Sequence, residues 1–136
     1  MEIRIDRLPY ITATLTFQGQ NLTLRRVILD TGSAGTVFSI DELAKIGLLP
    51  EREDQLREIH GIGGTEYVFT KRIEKLAIGD LQVADFEIEV GAMEYFLELD
   101  GIIGLDFLLQ TRAIVDFSRL EVYPATNDTN FTKKIK

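Results

Sequence analysis

Short stretches of alternating apolar and polar residues, separated by tight turns, restrict this sequence to a β-rich fold. The segment "YITATLTF", residues 10 to 17, is rich in β-branched and aromatic residues. The turn "QGQN" follows and leads into "LTLRRVILD", so residues 10 to 30 are predicted to form a hairpin. Further hairpins are predicted over 72 to 90, around Gly79-Asp80, and over 113 to 124, around Ser118-Arg119. The pattern favours a mostly β domain.

Helical signals are few. Ser39 and Glu42 have the spacing of a capping box ahead of "LAKIGLL", which predicts a short helix that Pro50 should end. A second short helix is expected at the end of "LDGIIGLDFLLQT", 99 to 111. With 136 residues, we expect one folded domain over 1–125 and a polar C-terminal tail over 126–136.

Composition excludes several classes of function. A formal net charge of −7 argues against nucleic acid or an anionic membrane as partner, because both need a basic face. The chain has no cysteine, which excludes disulfides and thiolate chemistry and is compatible with a reducing compartment. No segment is apolar and long enough to span a bilayer, and "MEIRIDRLPY" lacks a signal-peptide pattern. We therefore expect a cytoplasmic protein.

The stretch "VILDTGSAG", residues 27 to 35, places Asp30 at the end of an apolar strand, where an ionised group is costly to bury. It is either a turn aspartate that accepts a bond from its own backbone or a catalytic carboxylate. Other catalysts are scarce. His60 is the single histidine, "TGSAGT" does not fit a nucleophile elbow, and "GIGGTE" does not fit a phosphate loop. One histidine and no cysteine also argue against a zinc site, and we expect no cofactor.

Carboxylate chemistry remains. Two carboxylates held close enough to share a proton cannot both ionise, so one can accept a proton from water while the other donates to a carbonyl. Such a site needs a sharp turn and small residues that let a partner loop approach. "DTGS" supplies both, because Gly32 has no Cβ and Thr31 and Ser33 carry hydroxyls.

Three segments in this order resemble the retropepsin-like aspartic peptidases, the single-domain relatives of pepsin and of the retroviral proteases, in their bacterial or retroelement branch. "LDTGSAGTVFS" with "IDELAKIGL" resembles their active-site loop and following helix. "HGIGGTEYVF" resembles their glycine-tipped flap, and "GIIGLDFLL" their hydrophobic-hydrophobic-Gly element. The resemblance covers roughly residues 10 to 123 and implies a closed β-barrel of the acid protease fold, in which "VILDTG" and "GIIGLD" are equivalent strands.

The resemblance also implies a site. Asp30 takes the position of the catalytic aspartate, Thr31 that of the threonine bonded to the partner loop, and Gly32 that of the glycine beside the carboxylates. Because one chain has a single D-T-G, the resemblance implies a homodimer with one active site on its two-fold axis. The implied substrate is a peptide or protein. The residues implied in substrate binding are Ser33, Gly61, Ile62, Gly63 and Gly64.

Two departures concern the dimer. The retroviral members have an acidic residue and an arginine where this chain has Ala34 and Leu105, so that ion pair is missing and the bracing of the dimer stays open. We interpret Asp106 as a residue of a helix N-terminus rather than as a second catalytic carboxylate. Tyr67 and Phe69 fit either a peptide cleft or the core.

The predicted function is an aspartic endopeptidase that activates water between two Asp30 carboxylates. One alternative is a non-catalytic peptide-binding or regulatory homodimer of the same fold. Another is a monomeric structural domain with an incidental D-T-G. Separately, residues 61 to 64 could form an ordinary loop with no flap role.

Overall fold

The computed structural model describes residues 1–61, 64–93 and 98–126, with the backbone alone for 59–61 and 64–66. Strands dominate it, and the two α-helices are short. The strands are β1 Arg4–Asp6, β2 Leu8–Phe17, β3 Gln20–Leu29, β4 Val37–Ser39, β5 Leu56–Gly61, β6 Gly64–Ile78, β7 Leu81–Gly91, β8 Gly101–Ile103, β9 Ala113–Asp116 and β10 Glu121–Pro124. The helices are α1 Ile40–Leu43 and α2 Leu105–Gln110.

Six strands close into a barrel. Hydrogen bonding runs in the order β2-β3-β8-β4-β7-β6, and β6 pairs back with β2 to complete the circle. β1 is added beside β2 and β5 beside β6, while β9 and β10 form a separate two-stranded sheet. The structure confirms the predicted mostly β, acid-protease-like closed barrel with two short helices. Within the described residues, no helix is long and apolar enough to cross a membrane.

The core follows from the alternation of the strands. Ile11, Ala13 and Leu15 of β2 point inward and are fully buried, whereas the threonines between them are partly exposed. Helix α2 contributes Phe107, whose ring meets Phe86 of β7 edge to face at 5.9 Å between centroids. Packing of this buried aromatic pair attaches the helix that follows β8 to the barrel.

The first helix begins as predicted but ends earlier. Ser39 accepts a bond from the backbone N–H of Glu42 at 3.4 Å, as the capping box indicates. The helix tightens into a 3-10 turn over Ala44–Ile46 and stops at Gly47, which has a left-handed φ of 78°. The expectation that Pro50 ends the helix is wrong, because the glycine adopts the left-handed cap conformation three residues before it.

The predicted hairpins are all present. β2 and β3 are joined through Gln18 and Gly19, and β6 and β7 through Gly79 and Asp80. β9 and β10 pair around a turn over 117–120. In addition, β5 and β6 pair antiparallel up to Gly61 and Gly64, so these two glycines form the last described pair of a hairpin.

A buried lysine fixes the base of the β5-β6 hairpin. Lys71 of β6 has a side chain only 8% exposed, and its Nζ contacts Asp54 Oδ1 at 3.1 Å and the carboxylate of Glu51. Glu51 in turn donates its backbone N–H to Asp54 Oδ2 at 2.7 Å. Burial alone would lower the pKa of Lys71, but the hydrogen bonds and charges of Glu51 and Asp54 outweigh it and raise that pKa above 10.5.

Replacement of Lys71 by Met should lower the free energy of unfolding at neutral pH by about 1–3 kcal/mol, because Asp54 loses its charged partner.

The raised pKa of Lys71 also makes the stability of the wild-type protein depend on pH. Its stabilisation is fully present below the unfolded-state pKa and disappears as the pH rises through the folded-state pKa. Urea unfolding across the alkaline range should therefore show wild type losing more stability than Lys71→Met. The control is Lys75→Met, which changes an exposed lysine of the same strand. If the free energy of unfolding depended on pH equally in all three proteins, the prediction would be contradicted.

Candidate active site

Asp30 lies where two central parallel strands end together. β3 and β8 run parallel with Val27, Ile28 and Leu29 opposite Gly101, Ile102 and Ile103. The backbone N–H of Asp30 continues this ladder by donating to the carbonyl of Ile103 at 2.9 Å. The two stretches interpreted as equivalent strands are thus immediate neighbours, and their following loops leave the sheet at the same edge.

The D-T-G turn presents its carboxylate at the surface. Gly32 donates its backbone N–H to Asp30 Oδ1 at 3.0 Å, and Ser33 donates to the Asp30 carbonyl at 3.1 Å. A Cβ on Gly32 would lie 3.2 Å from Asp30 Oδ1, so a larger residue would crowd the carboxylate. Asp30 is half-buried, and Thr31 and Gly32 are exposed. Within the described residues, Oδ2 of Asp30 has no hydrogen-bond partner, so it remains available to a ligand or another chain.

The two hydroxyls beside Asp30 differ in their partners. Ser33 donates to the carbonyl of Gly35 at 2.7 Å, which closes the loop on itself rather than contacting Asp30. Thr31 is exposed, and its hydroxyl has no partner in the part of the chain that the structure describes. Thr31 is therefore the hydroxyl of this loop that can bond outside its own chain.

A buried threonine fastens this loop to the start of α2. Thr36 is 1% exposed. Its hydroxyl donates to Asp106 Oδ1 at 2.7 Å and accepts the backbone N–H of Gly104 at 3.1 Å, and its own N–H donates to Asp106 Oδ2 at 3.3 Å. Asp106 also accepts the N–H of Phe107 at 2.8 Å. The carboxylate thus belongs to the first turn of α2, as the sequence predicts, and serves the loop of Asp30 as well.

Close backbone approach explains the second glycine of "GIIG". Leu105 donates its N–H to the carbonyl of Ser33 at 2.8 Å. At this crossing a Cβ on Gly104 would lie 2.2 Å from the carbonyl oxygen of Gly35 and 2.6 Å from that of Ser33. Only glycine leaves room for these backbones to pass. The motif therefore determines where the loop of Asp30 lies.

An ion pair flanks the other side of the loop. Glu89 of β7 is 8% exposed, and its backbone N–H donates to the carbonyl of Thr36 at 2.9 Å. Its Oε2 accepts from Arg57 Nη1 of β5 at 2.9 Å. A Cβ on Gly35 would lie 2.8 Å from Glu89 Oε1, so the absent side chain makes room for this carboxylate. Although Ala34 and Leu105 cannot form an ion pair, the pair Arg57–Glu89 joins this loop to the hairpin.

The structure describes the glycine hairpin only in part. Gly61 and Gly64 pair at its end, whereas Ile62 and Gly63 lie outside the described residues, so a flap role for these four residues stays a prediction. Phe69 is buried in the main core, which supports the core interpretation for that residue. Tyr67 is 64% exposed.

Sequence reasoning did not identify Thr36, Glu89 or Arg57. A hydroxyl residue six positions after Asp30, directly before the apolar run "VF", was the available signal for Thr36. Nothing in the spacing indicates that Arg57 and Glu89 meet, because 32 residues separate them.

The Thr36–Asp106 bond should be measurable in a double-mutant cycle. Thr36→Val and Asp106→Asn should each lower the free energy of unfolding by about 1–3 kcal/mol, since each leaves a buried polar group with a poorer partner. The double variant should lose less than the sum, because both changes break one hydrogen-bond network. Thr23→Val, at an exposed position of β3, is the matched control. Strict additivity would show that the bond does not stabilise the loop.

The chain was also compared with known proteins. A family model described as aspartyl protease matches residues 13–107, a range that includes the loop of Asp30, the glycine hairpin and the "GIIG" crossing. The search of curated proteins gave no match.

Proposed function

This chain belongs to the aspartyl protease family, and we propose that it is an endopeptidase that hydrolyses peptide bonds with two Asp30 carboxylates, one from each copy of a homodimer. The observation that carries the proposal is the geometry of Asp30. The carboxylate is held by the Gly32 N–H at the end of the central parallel strands, with Oδ2 available.

The proposed chemistry needs only the two carboxylates and water. The ionised carboxylate accepts a proton from water, whose oxygen attacks the peptide carbonyl carbon, while the protonated carboxylate donates its proton to the carbonyl oxygen. As the tetrahedral intermediate collapses and the C–N bond breaks, the carboxyl group that took the proton from water gives it to the departing nitrogen. One hydroxyl of the intermediate returns its proton to the other carboxylate, which restores the starting pair. Binding would use an extended peptide that adds strand-like backbone bonds beneath the β5-β6 hairpin.

Exposed apolar residues beside the loop support the dimer. Leu105 and Leu109 are four residues apart on α2 and therefore share one face of it. Leu109 is 71% exposed and Leu105 38%. Because Leu105 bonds to the carbonyl of Ser33, this apolar face adjoins the Asp30 loop, where a second copy must approach to complete the pair.

Asp30→Asn should abolish cleavage of an unstructured protein, with a loss of at least about 100-fold, because an amide can neither share nor accept the proton. The thermal unfolding midpoint should stay near that of wild type, since Asp30 is half-buried and the amide oxygen can still accept the Gly32 N–H. Asp80→Asn, at an exposed turn between β6 and β7, is the control.

A cleaving Asp30→Asn protein would refute the assignment. A folded wild-type dimer that binds peptide at mildly acidic and neutral pH without cutting it would instead favour the non-catalytic binding alternative. Inhibition by pepstatin, a mimic of the tetrahedral intermediate, would support the enzyme.

Subunit mixing tests the shared site. After exchange, an equal amount of Asp30→Asn protein should lower the activity of a fixed amount of wild type to roughly half, because random pairing places many wild-type chains in mixed dimers. Leu109→Glu should shift sedimentation toward the monomer and reduce activity at low protein concentration. A strictly monomeric wild type, or activity unaffected by mixing, would contradict the dimer.

A further inference from the structure

Three arginines line a groove of about 330 Å³ on a chain that is acidic overall. Its lining is Arg4, Asp6, Tyr10, Arg25 and Arg26, three cations and one carboxylate in a protein with a net charge of −7. Arg25 and Arg26 are exposed, whereas Tyr10 is buried at the groove floor. Such a local reversal of charge favours an anionic ligand.

The groove and Asp30 share one face of β3. Val27 and Leu29 point into the core, so Arg26, Ile28 and Asp30 lie on the opposite side of the strand. Tyr10 is paired with Ile28 across β2 and β3, which makes this surface continuous. Four residues of strand place Arg26 roughly 13 Å from Asp30, a length that an extended peptide spans in three or four residues.

Neutral oxygens position two of the three guanidinium groups, those of Arg4 and Arg26. Arg26 donates from Nε to the carbonyl of Glu98 at 2.6 Å and from Nη2 to the Tyr10 hydroxyl at 3.3 Å, and its Cζ lies 4.8 Å from the Tyr10 ring centroid. Arg4 donates to the Thr12 hydroxyl at 3.0 Å and to the carbonyl of Arg25. In the described ranges, none of the three arginines forms a salt bridge. The guanidinium groups of Arg4 and Arg26 are therefore oriented by neutral oxygens, and that of Arg25 stays exposed.

We propose that this groove, Arg4–Tyr10–Arg25–Arg26, binds an acidic side chain of the peptide substrate, three to four residues from the bond that is cut. The inference rests on the proposed function and specifies its substrate class. A guanidinium binds a carboxylate through charge-assisted, often bidentate, hydrogen bonds, and the spare donors of these arginines supply them. In the symmetric dimer each copy contributes one groove, so acidic residues are selected on both sides of the cleavage point.

Binding is measured separately from cleavage with the Asp30→Asn protein. The probes are two fluorescein-labelled decapeptide libraries with a randomised centre, one with Glu and one with Gln fixed at both flanking positions. Fluorescence anisotropy should show the Glu library binding at least about tenfold more tightly, and the difference should shrink as salt is raised.

Variants of the groove identify the residues responsible. Arg25→Gln should reduce the preference for the Glu library. Arg25→Glu should bind a third library, with Lys at the same positions, more tightly than the Glu library. Arg25 suits these changes because its side chain is exposed and, within the described residues, forms no hydrogen bond; only its backbone carbonyl accepts one, from Arg4. Arg72→Gln, which changes a 59% exposed arginine in a different groove, should leave the preference unchanged.

The outcomes separate the two proposals. Equal cleavage of the Glu and Gln libraries by wild type, with equal binding by Asp30→Asn, would overturn the acidic preference and leave the protease assignment intact. A Glu preference that Arg25→Glu reverses, in a wild type that cuts nothing, would support the groove while the protease fails. A change in dimer sedimentation on Arg25→Gln with an unchanged preference would assign the groove to the subunit interface and overturn the inference.

Discussion

The parallel pairing of β3 with β8 is the constraint on which the rest of the site depends. It brings the end of "VIL" beside the end of "GII", so that the loop of Asp30 and the start of α2 leave the sheet together. The Thr36 hydroxyl then joins the two through Asp106 and the N–H of Gly104. The bond from Gly104 is buried and that to Asp106 is partly buried, so water competes little for the Thr36 hydroxyl, and the barrel helps to hold the D-T-G turn.

Electrostatic contacts extend this frame to the hairpin. Arg57 reaches Glu89 beside the Asp30 loop, and Lys71 holds the segment that precedes β5 through Asp54. The first contact joins β5 to β7, and the second joins the segment before β5 to β6. The position of β5 therefore depends on charge as well as on the strand ladder.

Local patterns predicted the strands, the cap at Ser39 and the turns at Gly79 and Ser118, because each depends on residues close together in the chain. Family membership was also predictable, since three motifs occur in order, and the family match confirms it. The predicted end of α1 at Pro50 was wrong, because Gly47 adopts the left-handed cap conformation three residues earlier. Contacts such as Arg57–Glu89 could not be predicted from the sequence, since no local pattern relates positions that are 32 residues apart.

By itself the sequence determined which residue is the candidate for catalysis: an aspartate at the end of an apolar strand, two positions before a glycine, in a chain without cysteine and with one histidine. Only the tertiary structure decided what surrounds it. The partner of Thr36, the carboxylate against Gly35 and the arginine groove on the face of Asp30 all arise where strands distant in sequence meet. The physical reason is that periodicity and turn chemistry act over a few residues, whereas the closure of a barrel chooses which strands become neighbours.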